Sequence, residues 1–146
     1  MLEKPKKLNV PAHKEVIQIK VTLIGDAQSG KTSFAQRYST GVCPSQYDPT
    51  LGADSIDKYL TVKNQQIHIT FWDMSGQIDF LEIRNEVYKE SHLIILFVDL
   101  SNKSSVESMD YWLREVKDNN GTCPVYIVGN KSDNKRNNPD FSKQAR

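Results

Sequence analysis

The sequence predicts an α/β domain built on a mostly parallel sheet with one antiparallel hairpin, and three observations carry that prediction. Segments rich in β-branched residues alternate with segments of helical period, the pattern of strands and helices that builds a parallel sheet. One of the strand segments, Leu93-Ile94-Ile95-Leu96-Phe97-Val98, is an unbroken apolar run, as a strand covered on both faces must be. Another stretch alternates with period two after a polar turn, which marks a hairpin.

Residues 1 to about 14 are polar, contain Pro5 and Pro11 and show no period. They are expected to form a flexible arm, with a single domain over residues 15–146. Val16 to Ile24 is β-branched and ends at Gly25, so it reads as a strand running into a glycine loop. A helix is expected from Gly30 to about Ser39, closed by Gly41. Ile56, Leu60 and Val62 lead into the turn Lys63-Asn64-Gln65-Gln66, after which Ile67, Ile69 and Phe71 alternate with His68, Thr70 and Trp72. Phe80 to Glu90 is expected to be helical. Val106, Met109, Leu113 and Val116 recur at spacings of three and four, which predicts an amphipathic helix. Trp112 falls on or near its stripe, which is read as core. Val125 to Val128 forms the last short strand, and an open edge there invites self-association.

With 146 residues, 38% hydrophobic and 25% charged, the chain has the length and composition of one globular domain. Nineteen Lys plus Arg against eighteen Asp plus Glu give a net charge of +1, so nothing argues for a nucleic-acid partner. Cys43 and Cys123 form no CxxC and no Cys/His cluster; they read as reduced thiols in a cytoplasmic protein. The N-terminus has no apolar signal core, residue 2 is Leu, and the last four residues hold no Cys, so no membrane anchor is legible in this chain. Lys4, Lys6, Lys7 and Lys14 read as a solvated tail, with contact to anionic lipid as the alternative.

Chemistry enters with Gly25-Asp26-Ala27-Gln28-Ser29-Gly30-Lys31-Thr32, which fits G-x-x-x-x-G-K-[ST] and lies between a predicted strand and a predicted helix. Glycines let the backbone curl so that successive N–H groups face phosphate oxygens, and the helix N-terminus adds its positive end. Gly25, Asp26, Ala27, Gln28, Ser29, Gly30, Lys31, Thr32 and the following Ser33 are the expected phosphate-binding set, joined by Gly76. Lys31 is expected to reach the β- and γ-phosphates, and the Thr32 hydroxyl to ligate Mg²⁺.

Two weaker strings gain weight from their order after the P-loop. Asp73-Met74-Ser75-Gly76-Gln77 is a D-x-x-G in which Asp73 can position Mg²⁺, Gly76 can bend toward a γ-phosphate and Gln77 can orient water. Asn130-Lys131-Ser132-Asp133 follows the last strand. A carboxylate at Asp133 can accept from the ring N–H and the exocyclic amine of guanine, a donor edge adenine lacks. Lys131 can lie along the base plane and Asn130 can pin the loop. Taken alone, either string is an ordinary polar turn.

These three elements in this order resemble the Ras superfamily of small GTPases, over the stretch from about Val16 to Asp133. Tyr47-Asp48-Pro49-Thr50-Leu51-Gly52-Ala53-Asp54 looks like the first switch of Rab proteins, and Trp72-Asp73 with Gly76-Gln77 like their second. The resemblance implies a P-loop NTPase fold that binds GTP or GDP with Mg²⁺ held by Thr32, Thr50 and Asp73. It implies catalysis by Gln77 and Lys31, slow hydrolysis, and effectors, exchange factors and activating proteins as partners in signalling or vesicle traffic. Three departures stand out: Ser55 follows the first switch where Rab proteins carry an aromatic residue, Val87-Tyr88-Lys89-Glu90 replaces Tyr-Tyr-Arg-Gly, and Ala27 crowds the place where an arginine finger would enter. Arg84-Asn85-Glu86-Val87-Tyr88-Lys89-Glu90 is more similar to atypical Rab-like GTPases that carry a C-terminal J domain. Family members continue for another strand and helix, so a sheet lacking both is expected, whether as a fragment or a natural minimal form. A non-cycling scaffold is the rival reading; an ATPase or nucleotide kinase is disfavoured by Asn130, Lys131 and Asp133.

Overall fold

The computed structural model describes residues 15–46 and 48–134. The arm expected over residues 1–14, Tyr47 of the first-switch string and the polar end after Asn134 lie outside the described residues. Five strands form one sheet: β1 (Ile17–Ile24), β2 (Ala53–Val62), β3 (Gln65–Met74), β4 (Leu93–Asp99) and β5 (Val125–Asn130). Their order is β2-β3-β1-β4-β5, with β2 and β3 antiparallel and the other neighbours parallel. The α/β class, the mostly parallel sheet and its single hairpin are as expected.

Period two sorts the side chains of the inner strands onto the two faces. Val21 and Leu23 of β1 and Phe97 of β4 join Phe71 and Ala35 on one face, where α1 (Lys31–Thr40) packs. Ile24, Ile94, Leu96 and Val98 point to the other. There they meet Val87 and Tyr88 of α2 (Leu81–Lys89), Val106 of α3 (Lys103–Glu107), and Trp112 and Val116 of α4 (Met109–Asn120). Gly41 closes α1 in the left-handed conformation, its N–H donating to the Arg37 carbonyl.

Two elements differ from the sequence expectation. The hairpin turn is two residues long, because Lys63 and Asn64 both take positive φ (48° and 66°) and Gln65 and Gln66 join β3 opposite Val62 and Thr61. A two-residue turn with both φ positive matches the twist of the strands it joins, which a longer polar loop does not require. The helix expected through Val106, Met109, Leu113 and Val116 is broken at Ser108 into α3 and α4. The apolar spacing survives the break; the Ser108 hydroxyl, hydrogen-bonded to Asp26, ties the joint to the loop after β1.

The parallel strands place the site. Leu23 of β1 lies opposite Asp73 of β3, and Asp99 of β4 opposite Asn130 of β5, so these strands end along one edge of the sheet. Ligands of open α/β sheets bind in the crevice outside such carboxyl ends. Antiparallel β2 starts at the same edge, Ala53 opposite Met74, and the Ser75 N–H donates to the Gly52 carbonyl at 2.8 Å. The segment carrying Thr50 is thereby set beside the segment carrying Gly76.

Candidate functional site

At this edge lies a cleft of about 350 Å³ lined by residues of four segments, among them Ala27, Lys31, Thr32, Thr50, Gly76, Gln77 and Lys131. The loop from Gly25 to Gly30 turns on left-handed backbone at Gln28 (φ 63°) and Gly30 (φ 100°). A Cβ at Gly30 would overlap the Asn130 amide, and one at Gly76 would overlap the Ala27 backbone nitrogen. Glycine is therefore required where the base-side loop and the D-x-x-G loop close on the P-loop.

Lys31, the first residue of α1, is 5% exposed and donates from Nζ to the carbonyls of Gly25 (2.8 Å) and Asp26 (2.9 Å). Burial lowers its pKa to about 8, against the attraction of Asp73 and Asp26. At the other wall, Asp73 Oδ2 accepts from the Thr32 hydroxyl at 2.5 Å and from the Thr50 hydroxyl at 3.1 Å, and the two hydroxyls are 3.2 Å apart. Asp73 Oδ1 is buried with no hydrogen-bond partner among the described residues. Burial pushes the Asp73 carboxyl up, outweighing the Thr32 and Thr50 hydrogen bonds and Lys31.

This donor set fits Mg²⁺. One carboxylate and two hydroxyls from separate segments converge without a carboxylate cage: no group of three or more His, Cys, Asp or Glu occurs among the described residues. A small hard cation that keeps waters and phosphate oxygens in its shell needs few protein ligands. A cation beside Asp73 and a phosphate beside Lys31 would each restore the charged form that burial disfavours.

Gln77 is exposed and lines the cleft, as do Ala27 and Gln28. Ser29 is buried, and Ser33 of α1 lines the cleft. Asn130 does pin a loop, and it is the P-loop itself: its Nδ2 donates to the Ser29 carbonyl at 2.9 Å while its Oδ1 accepts from the Lys131 N–H. Lys131 stands at φ 59°, and its ammonium contacts Asp99 Oδ2 at 2.7 Å. Burial works to raise the Asp99 pKa, but Lys131 and Ser101 outweigh it and hold the carboxyl low. Asp133 is exposed in the turn after β5 and does not line the cleft.

Several residues around the site were not singled out by the sequence reading. Arg84, assigned there only to a subfamily string, is fully buried and grips Glu115 with two hydrogen bonds, Nε to Oε1 at 2.7 Å and Nη2 to Oε2 at 3.0 Å. Its Nη1 donates to the carbonyls of Gln77 (2.6 Å) and Ser75 (3.2 Å), so α2 holds the backbone of the second-switch string. The Tyr88 hydroxyl donates to Glu115 at 2.7 Å. Asp26 was expected to contribute through its backbone, yet its carboxylate is bound by Trp112 and Ser108. Partners this far apart in the chain leave no spacing to read.

A glycine loop at the carboxyl edge of a parallel sheet, beside a carboxylate flanked by two threonines, defines the class of P-loop nucleotide-binding domains. The chain belongs to the Ras superfamily: residues 20–133 match the family described as "Ras of Complex, Roc, domain of DAPkinase". It is 31% identical over 140 residues to septum-promoting GTP-binding protein 1 of Schizosaccharomyces pombe, covering 92% of this chain and 71% of that protein. It is 33% identical over 115 residues to Ras-related protein Rab-19 of Mus musculus, covering 78% of this chain and 53% of the relative. It is 37% identical over 112 residues to DnaJ homolog subfamily C member 27 of Rattus norvegicus, covering 75% and 41%. The Rab-like character and the resemblance to proteins that carry a J domain are thus borne out. The chain spans about half the length of the latter two relatives.

Proposed function

We propose that the chain binds GTP and GDP with Mg²⁺ and slowly hydrolyses GTP to GDP and phosphate, acting as a switch in Rab-like signalling or vesicle traffic. The observation that carries this reading is the convergence of Thr32, from the P-loop helix, and Thr50, from the loop before β2, on Asp73 at the end of β3. Nothing in a plain glycine turn requires three distant segments to meet at one carboxylate.

In the proposed reaction the P-loop backbone N–H groups and Lys31 hold the β- and γ-phosphates. Thr32, Thr50 and Asp73 would hold Mg²⁺, which would supply neutralisation of phosphate charge. Gln77 orients a water in line with the γ-phosphorus. The bond from phosphorus to the β–γ bridging oxygen breaks, GDP leaves with its electron pair, and the proton of the water ends on phosphate. Without a partner protein such sites turn over at roughly 10⁻⁴ to 10⁻² s⁻¹. In this reading a γ-phosphate bonded by Thr50 and Gly76, which both line the cleft, orders both switches and its loss releases them, the event by which effectors would read the bound nucleotide. The Asp133 carboxylate selects guanine in this reading, its exposed turn closing on the base when nucleotide binds.

The test is a titration with fluorescent GDP, GTP and ATP analogues, with and without Mg²⁺. Tight, Mg²⁺-dependent binding of both guanine nucleotides and weak binding of the adenine analogue are expected. Equal affinity for ATP removes the guanine assignment, and no binding at all favours a non-cycling scaffold.

A further inference from the structure

An acidic side chain in a loop that cradles phosphate is an electrostatic liability unless something holds it away. Asp26 directly follows Gly25, and both of its carboxylate oxygens are engaged: Oδ1 accepts from the Trp112 indole N–H at 2.8 Å and Oδ2 from the Ser108 hydroxyl at 2.7 Å. One donor sits at the α3–α4 joint and the other in the first turn of α4, both more than eighty residues along the chain. Trp112 is 2% exposed, and the Arg84 guanidinium lies 4.9 Å from its ring centroid. Arg84 is itself fixed by Glu115, so the indole is packed under a cation that cannot move aside. The single Ser108 O–H is shared with the Ser105 carbonyl at 3.0 Å, the longer of its two contacts, which keeps the hydroxyl on this side of the joint.

We propose that Trp112 and Ser108 are positioning residues of the P-loop: acting through the Asp26 carboxylate, they turn its charge away from the phosphates and fix the curl in which the loop's N–H groups face them. The break of the helix at Ser108 belongs to this device, because it presents the hydroxyl and the indole to the same carboxylate. A buried indole N–H often needs any acceptor at all, but here both carboxylate oxygens are taken, by two residues four apart. Loosening this clamp lets the loop open and nucleotide escape. The inference rests on the nucleotide-binding reading above.

The experiment measures release of fluorescent GDP from the 146-residue chain in Mg²⁺, with thermal melting of each variant in the absence of nucleotide. Trp112→Phe keeps the ring under Arg84 but removes the N–H; roughly tenfold faster GDP release is expected, the worth of one hydrogen bond to a charged group. Ser108→Ala removes the second donor with little loss of packing and is expected to speed release about threefold. Adding Trp112→Phe to Asp26→Ala should accelerate release no further, since both remove the same contact, whereas a general loosening of the core would add to it. Wild-type release rates in both Trp112→Phe and Ser108→Ala, or full additivity with Asp26→Ala, overturn the proposal. Should Trp112→Phe fail to melt cooperatively, Ser108→Ala decides alone. Failure of the unsubstituted chain to bind GDP is a separate result, which removes the nucleotide reading and this inference with it.

Discussion

Thr32 and Asp73, 41 positions apart in the chain, share a 2.5 Å hydrogen bond at the carboxyl edge of the sheet. The pairing of β1 with β3 in register enforces that contact, because Leu23 lies opposite Asp73 just before the P-loop begins. Thr32→Asn replaces a compact hydroxyl beside Asp73 with a longer amide. It is expected to weaken GTP binding by about tenfold or more and to abolish its response to Mg²⁺, while ligand-free folding persists. Titration of the nucleotide with and without EDTA reads this; an unchanged Mg²⁺ dependence counts against the metal-binding role of Thr32.

Gln77 is exposed and lines the cleft; its backbone carbonyl accepts from Arg84 and its N–H donates to Ser75 Oγ at 3.3 Å. Gln77→Leu is therefore expected to leave GTP affinity within about twofold while slowing single-turnover hydrolysis on the order of 100-fold, the scale of losing alignment of a reactant. Equal rates would mean that water is oriented by another group.

Asp133 stands in an exposed turn. Asp133→Asn should cost about 10- to 100-fold in the preference for GTP over ATP, because an amide cannot accept from both donors of the base. Competition binding measures it, and retained selectivity would make Asp133 a turn residue only.

Glu115 titrates below its ordinary value of 4.5. Burial alone would raise it, but hydrogen bonds from Arg84, Tyr88 and Tyr111 outweigh burial. A carboxyl whose folded pKa lies below its unfolded one adds stability that is complete above the unfolded value and is lost as pH falls through the folded value. Glu115→Gln should therefore flatten the part of the melting-temperature profile below about pH 4.5. At neutral pH it should cost about 3–5 kcal/mol, since Arg84 is left buried with its charge unpaired. An acid limb parallel to that of the unsubstituted chain would show that other carboxylates govern acid unfolding.

Along β5, Tyr126 and Ile127 are 65% and 52% exposed, and among the described residues this strand pairs with β4 alone. The nucleotide-free chain is expected to self-associate at this edge, with Tyr126→Lys shifting it toward monomer. GDP with Mg²⁺ at about 100 times its dissociation constant should add about 2.7 kcal/mol to the folded state. Light scattering with parallel melts checks both; a monodisperse monomer whose melt ignores GDP contradicts them.

By itself the sequence determined the α/β class, the five strands and the P-loop, because each is written in short-range patterns: period two, period three to four, and glycine at fixed offsets. It also carried Asp73 and Asn130 by their order after the P-loop, and Thr50 through the resemblance of its string to the first switch of Rab proteins. The helix break at Ser108 and the two-residue turn at Lys63 and Asn64 were not legible, since each turns on local geometry that apolar spacing does not record. Trp112 illustrates the limit most sharply. Its place on an apolar stripe was readable, and it is indeed core, but its polar edge reaches Asp26 in a loop 86 positions away. Arg84 and Glu115 likewise look like surface charges until α2 and α4 pack on one face of the sheet and bury them together. Only the tertiary structure decides such pairings, because a side chain's partner depends on which helices share a sheet face, and sequence separation carries no record of that.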